Sequence, residues 1–187
     1  MKLSELKNKT IAILGFGKEG QSSLNFLISI GINNITVLDE NEILEQQEGV
    51  VYITGEDYLS TLGEFDLIIK SPGISPFSDK LLAHRDKFIS QTQLFFANYT
   101  GKVIGITGTK GKSTISTLLN ECLSVAGYDV VLAGNIGLPV LDEIDFNGKT
   151  HDYVIYELSS YMLQDFSPSL DIGFLNNIYP CHLDWHF

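Results

Sequence analysis

The 187-residue sequence is poor in several residue types, and each shortage excludes something. It has only two cysteines, Cys122 and Cys181, which stand far apart without the close spacing of a metal site. That rules out a disulfide scaffold and fits a reducing compartment. Basic residues are scarce, 12 Lys and Arg against 23 Asp and Glu, so nothing here would neutralise a run of nucleic-acid phosphates. An anionic nucleotide would have to be held by local amides and a few lysines. There is neither an 18-residue apolar run nor a cleavable apolar leader, so no membrane partner is expected and the chain reads as cytoplasmic. Internal repeats, low-complexity tracts and proline-rich linkers are also missing. What is present, 44% hydrophobic and 19% charged residues, suits a globular α/β chain of one large or two small domains.

Strand-like runs at residues 10–14, 35–38, 50–53 and 67–69 alternate with loops and with a helical pattern over residues 21–30. This alternation predicts a parallel sheet with crossover helices. A second set of strands is expected at residues 102–106, 129–132, 153–156 and 172–175, with a helix over residues 113–126 after the first. The two sets imply a Rossmann-like domain over residues 1–94 and a P-loop ATPase-type α/β domain over residues 95–187, with the boundary near residues 92–101. The chain stops just after a strand, so this second domain is expected to be incomplete.

Val103-Ile-Gly-Ile-Thr-Gly-Thr-Lys-Gly-Lys-Ser-Thr114 is the most informative stretch: a β-branched run enters a glycine turn and opens a helix. The amides of Gly108, Thr109, Lys110 and Gly111 can wrap phosphate oxygens, Lys112 can reach the β/γ-phosphates, and Ser113, followed by Thr114, can ligate Mg²⁺. The general pattern wants a glycine where Ile106 stands, which leaves the shorter signature of one subset of ATP users. Gly15-Phe16-Gly17-Lys18-Glu19-Gly20 follows the first strand, and Asp39 ends the second. Gly15 serves the turn, Gly17 the close approach of a diphosphate, Gly20 helix packing, and Asp39 a ribose hydroxyl. NAD, FAD and a UDP-sugar all remain open on this pattern.

Ser71-Pro72-Gly73-Ile-Ser-Pro76 comes after the fourth strand, as a turn in which Gly73 takes positive φ, on the same rim as the first glycine loop. Glu157, at the end of the strand over residues 153–156, puts a carboxylate beside the phosphate loop, as Mg²⁺ bridging ATP phosphates requires. Gly134-Asn135-Ile-Gly137 offers a polar side chain in a sharp turn. His182 and Asp184 follow the last strand, with His182 a metal-site candidate.

Together, in this order, these motifs resemble the Mur ligase family, with Leu158-Ser-Ser160 after Glu157 and the stretch from Asn177 to Asp184 completing the set. The resemblance covers the whole chain and implies an ATP-dependent amide-bond ligase of peptidoglycan precursor synthesis. In its D-glutamate-adding branch, ATP phosphorylates the carboxylate of UDP-N-acetylmuramoyl-L-alanine and the amine of D-glutamate displaces phosphate from the acyl phosphate. By this resemblance Lys112, Glu157 and His182 are catalytic. Residues 108–114 bind ATP, and Ser113, Glu157 and His182 hold magnesium. Gly15, Phe16, Gly17, Lys18, Gly20, Asp39, Ser71, Pro72 and Gly73 contact the uridine diphosphate, with Asn135 and Ser160 toward the muramoyl end. Cys181, Lys110 and Met162 depart from the family's usual acidic residue, asparagine and glutamine. A third domain for the amino acid, and a carbamylated lysine, would lie beyond Phe187, so the chain is expected to bind without turnover. An NAD-type binding module, or a related Mur or folylpolyglutamate-type ligase with another substrate, are the alternatives.

Overall fold

A computed structural model describes residues 1–75, 77–146, 148, 150–164 and 169–183. It divides into two compact units, one from Met1 to Ala97 and the other from Asn98 onward.

The first unit is built on five parallel strands, β1 (Ile11–Leu14), β2 (Ile35–Asp39), β3 (Val51–Thr54), β4 (Leu67–Lys70) and β5 (Phe88–Ile89), in the order β3-β2-β1-β4-β5. Every residue of β1 is buried, as an unbroken apolar run at the centre of a doubly covered sheet should be. Helix α1 (Lys18–Ser29) lays Leu24 and Leu27 against Ile11, Ile13, Val37 and Ile69, and α2 (Asp79–Leu82) adds Leu81 to a cluster with Ala12, Leu14 and Ile68. The chain runs from β1 outward through β2 and β3, then returns to β4 on the other side. The carboxyl ends of β1 and β4 therefore flank the topological switch point, where open α/β sheets bind ligands.

The second unit carries β6 (Val103–Thr107), β7 (Val130–Gly134), β8 (Tyr153–Glu157) and β9 (Ile172–Leu175), all parallel, in the order β7-β8-β6-β9. Helix α4 (Lys112–Val125) packs Ile115, Leu119 and Leu123 on Ile104, Ile106 and Ile155. Two short helices, α5 (Val140–Glu143) and α6 (Ser160–Leu163), follow β7 and β8. The ends of β8, β6 and β9 lie side by side, and the loops after them build the second site. The outermost strand β9 is apolar yet exposed throughout, with Ile172, Phe174 and Leu175 all about half exposed.

Two expectations need correction. Helix α1 starts at Lys18 rather than residue 21, because its first turn, Lys18-Glu-Gly20, carries no apolar residue to mark it; Lys18 and Gly20 are thus helical. The units divide between Ala97 and Asn98, inside residues 92–101, at the end of a helix that sequence reading did not anticipate, α3 (Gln91–Asn98), which buries Leu94 and Phe95 completely. Gly73 lacks positive φ; the left-handed turn on that rim belongs to Gly15 at φ 89°. Asp184, Trp185 and Phe187, and Pro76 of the second rim loop, lie outside the described residues.

Candidate functional site

In the first unit the glycine loop and the loop after β4 are fastened together. Gly15 N donates to Leu38 O (2.8 Å), Ser71 Oγ donates to Gly15 O (3.0 Å) and Ser71 N to Leu14 O (2.9 Å). A side chain on Gly15 would collide with Ser71 and Ile74, and one on Gly20 would stand 2.1 Å from Gly15 O, whereas nothing lies within 4 Å of the position a Cβ would take on Gly17. The first and third glycines are thus demanded by the fold, and the middle one leaves an open approach to the start of α1. There the amides of Lys18, Glu19 and Gly20 belong to the first helical turn, which has no intrahelical acceptor for them.

A cavity of about 520 Å³ lies over this helix end, lined by Gly15, Gly17, Lys18, Asp39, Ser71 and Gly73, with Pro72, Glu19, Glu40 and Tyr58 also on its wall. A neighbouring cavity of about 690 Å³ shares Gly17 and Asp39 and is lined by Phe16, Gln21, Asn41 and Tyr52. Phe16 stands edge-to-face on Tyr52 at 5.8 Å. The structure therefore brings every sequence-predicted residue of this group except Gly20 to one rim, with Gly20 packed beneath it. Asp39 already accepts from Phe16 N (2.7 Å, Oδ2) and from Asn41 N (2.9 Å, Oδ1), so it shapes the loop and must share its oxygens with any ribose hydroxyl.

Glu19 is the residue the sequence reading passed over. Burial raises its carboxyl from 4.5 to about 7, an effect partly offset by the Lys70 ammonium. The folded pKa lies above the unfolded one, so the folded state binds more protons between pH 4.5 and 7 and stability falls as pH rises through that window. Above it the full penalty, at most ~3 kcal/mol, persists. Glu19→Gln is expected to match the wild type in urea denaturation at pH 4.5 and to exceed it at pH 8. Equal midpoints at pH 8 would contradict this.

In the second unit Gly108 and Gly111 take positive φ, 138° and 77°, and α4 begins at Lys112. Lys112 Nζ curls back to donate to Gly108 O (2.8 Å) and Thr109 O (3.3 Å), which fixes the loop around its own ammonium. Two of the amides that the sequence offers to phosphate are used otherwise: Thr109 N donates to Asn177 O (3.0 Å) and Lys110 N to Asn177 Oδ1 (2.9 Å). Asn176 and Asn177 side chains donate to Lys110 O at 2.7 and 2.9 Å, and Thr109 Oγ1 is bonded to both the N and the O of Tyr179. The loop after β9 thus clamps the outer half of the phosphate loop and leaves the first-turn amides of α4, at Lys112, Ser113 and Thr114, to face an anion. The pair of asparagines after β9 is the signal that could have revealed this clamp. Ser113 and Thr114 are exposed, as is Lys110.

A cavity of about 400 Å³ beside this loop is lined by Gly108, Thr109, Lys112, Asn135, Ser160 and His182, with Cys181 close by. His182 holds positive φ, 50°, and its ring leans on Tyr161 at 5.0 Å. Glu157 lies behind Asn135, fully buried; Oε1 accepts from Asn135 Nδ2 (2.8 Å) and Oε2 has no partner among the described residues. A buried carboxylate oxygen without a donor is costly unless a cation or water meets it. That donor chemistry fits a hard divalent ion with oxygen ligands. Among the described residues, no group of three or more His, Cys, Asp and Glu side chains converges.

Residues 9–90 match the Mur ligase MurD-like N-terminal domain and residues 106–187 match the Mur ligase middle domain. The chain belongs to the Mur ligase family. UDP-N-acetylmuramoylalanine--D-glutamate ligases of Ruminiclostridium cellulolyticum and of Clostridium beijerinckii are each 34% identical to it, over 97% and 95% of the chain. That of Streptococcus pneumoniae is 34% identical over 98%. The chain spans about two fifths of the length of these Mur ligases, 41 to 43%. The crystal structure of a murein peptide ligase from Psychrobacter arcticus shares the fold, with a TM-score of 0.54 and 21% identity over 90% of this chain and 43% of that one. The described Mur ligase residues include no helix long and apolar enough to cross a membrane.

Proposed function

We propose that this chain is the nucleotide-handling part of an ATP-dependent ligase that adds D-glutamate to UDP-N-acetylmuramoyl-L-alanine. The observation that carries the reading is the paired set of loops. One glycine loop opens a helix at the switch point of the first sheet. A second, closed on Lys112, stands beside a buried carboxylate with one unmet oxygen. The relatives' printed names supply the substrate and the amino acid. The domain reading that goes with it assigns residues 1–94 to the UDP compound and residues 95–187 to ATP.

In the first unit, the amides at the start of α1 and the Ser71–Gly73 turn would hold the diphosphate, with Asp39 and Phe16 toward the uridine. In the second, Lys112 would swing from the Gly108 and Thr109 carbonyls to the transferring phosphoryl group and stabilise its developing charge. Ser113, Glu157 and His182 would hold magnesium, with Asn135 orienting the Glu157 carboxylate. Magnesium, when bound, neutralises charge on the phosphate oxygens. The substrate carboxylate attacks the γ-phosphorus and ADP leaves. The D-glutamate nitrogen then attacks the acyl carbon, phosphate leaves with the bonding electrons, and the nitrogen loses a proton. The positive first turn of α4 steadies the phosphate in both steps.

The deciding experiment is calorimetric titration of the 187-residue chain with UDP-N-acetylmuramoyl-L-alanine and, separately, with NADH. Saturable binding of the UDP compound without an NADH response is expected. Binding of NADH alone would make the first glycine loop a dinucleotide site and end the ligase reading. Glu157→Gln gives a second check, because it removes the buried charge while keeping the shape. Its melting temperature without magnesium should equal or exceed the wild type's. Added Mg²⁺ with a non-hydrolysable ATP analogue should raise the wild type by several degrees, as ~1–2 kcal/mol of linked binding would, and leave the variant's response to Mg²⁺ much reduced. An undiminished response would remove Glu157 from the metal site.

A further inference from the structure

Glu19 is the acidic side chain inside the first glycine loop motif, and neither the turn, the close approach nor the helix packing calls for a carboxylate there. It is the second residue of α1, half-buried, and on the wall of the same cavity as Gly17, Lys18, Ser71 and Gly73. Its backbone is held in place: Glu19 O accepts from Ser23 Oγ (2.8 Å) and from Gln91 Nε2 (3.3 Å). The ammonium nearest in effect, Lys70, donates to Ser71 O and Ile74 O, and so is committed to bracing the opposite loop. A carboxylate thus stands on the wall of the cavity in which the helix terminus would receive an anionic diphosphate.

We propose that Glu19 makes nucleotide binding at this cavity proton-linked: when a diphosphate seats on the loop, the carboxylate takes up one proton from solvent, and its neutral form donates that proton to a phosphate oxygen. This rests on the reading of the cavity as the UDP-nucleotide site. Two physical terms drive it. An ionised carboxylate and a diphosphate oxygen in one half-buried space repel, whereas a carboxylic acid is a hydrogen-bond donor to the same oxygen. Burial has already pushed this carboxyl to about 7, so the free cavity holds it near half-ionised at neutral pH and a modest anionic field completes the protonation. The other charged or titratable groups on the wall are Lys18 from α1, Asp39 and Glu40 from the end of β2, and Tyr58, with Lys70 at the end of β4. The Tyr58 phenol is held above its usual value by burial and by Glu40 and Asp39. Glu19 is a wall group whose carboxyl is held near neutrality.

The test is calorimetric titration of wild type and Glu19→Gln with UDP-N-acetylmuramoyl-L-alanine at pH 6.0, 7.0 and 8.5, repeated in buffers of different ionisation enthalpy. Its diphosphate is a diester and carries no proton of its own in that range. The wild type should bind about tenfold more weakly at pH 8.5 than at pH 6.0 and take up a sizeable fraction of a proton at pH 7.0. Glu19→Gln should bind with nearly the same affinity throughout. Binding by both proteins with equal pH slopes, or by the wild type with no proton uptake, would overturn the proposal and leave the cavity assignment standing. Should the variant fail to fold, proton uptake by the wild type decides alone. Absence of binding at every pH would overturn the cavity assignment and this proposal together.

Discussion

Replacing Lys112 by methionine is expected to weaken ATP binding by the chain about 100-fold, equivalent to ~2.7 kcal/mol. The side chain has two tasks. In the structure its ammonium donates to the Gly108 and Thr109 carbonyls and so draws the loop into a ring. With ATP bound, the same ammonium would be a mobile cation inside the loop, making charge-assisted bonds of ~1.5–3 kcal/mol each to phosphate oxygens. Methionine keeps the length and apolar stem and removes both. Arginine is no substitute, because the ring closed by Gly108 and Gly111 surrounds a compact ammonium and a guanidinium fork is wider. Asn177→Ala offers a graded comparison. It loosens the clamp on Thr109 and Lys110 but leaves the cation, so a loss of only a few-fold is expected. Titration with a fluorescent ATP analogue checks all three, and a methionine variant within threefold of wild type would show that the amides alone carry the affinity.

The contrast between Lys112 and Asn177 also marks where sequence reading succeeds. Lys112 is legible because its neighbours in sequence are its neighbours in space: strand, glycine turn and helix make a local unit with its own signature. Asn177 works on the same loop across 67 residues, and the asparagine pair after β9 does not by itself say that its partner is the loop after β6. Helix α3 was missed for a related reason. Its inward face begins with the buried polar residues Gln91 and Thr92, so apolar periodicity is broken. Gln91 Nε2 is satisfied by Ser22 Oγ (3.1 Å) and Ser23 Oγ (3.3 Å) on α1, a pairing visible only once both helices are placed. Central strands β1 and β6 were read within one residue because continuous burial makes them continuously apolar. Asp39 was read in the right place and given a single task. Its bonds to Phe16 N and Asn41 N show that an acidic residue at a strand end can also hold a loop.

Gly20→Ala is expected to destabilise the first unit by roughly 3 kcal/mol or more and to abolish measurable binding of the UDP compound. An added Cβ would stand 2.1 Å from Gly15 O and 3.0 Å from Gly15 C, both backbone atoms of a loop pinned by Leu38 O and Ser71 Oγ. Neither atom can rotate away, so α1 must retreat from β1, and Leu24 and Leu27 lose part of their packing against Ile11 and Ile13. The alanine's better helix propensity, worth ~1 kcal/mol over glycine, cannot offset this. Gly17→Ala separates fold from ligand within the same motif. Gly17 has φ −69°, which any residue adopts, and nothing lies within 4 Å of its Cβ position. That variant should keep its stability to within about 0.5 kcal/mol and lose affinity at least tenfold, because its methyl would occupy the approach to the first-turn amides. Urea denaturation, with hydrogen exchange read over residues 11–39, separates the two. A Gly17→Ala protein that binds normally would move the diphosphate off this helix end, and a Gly20→Ala protein of normal stability would mean that α1 and its loop can part without cost.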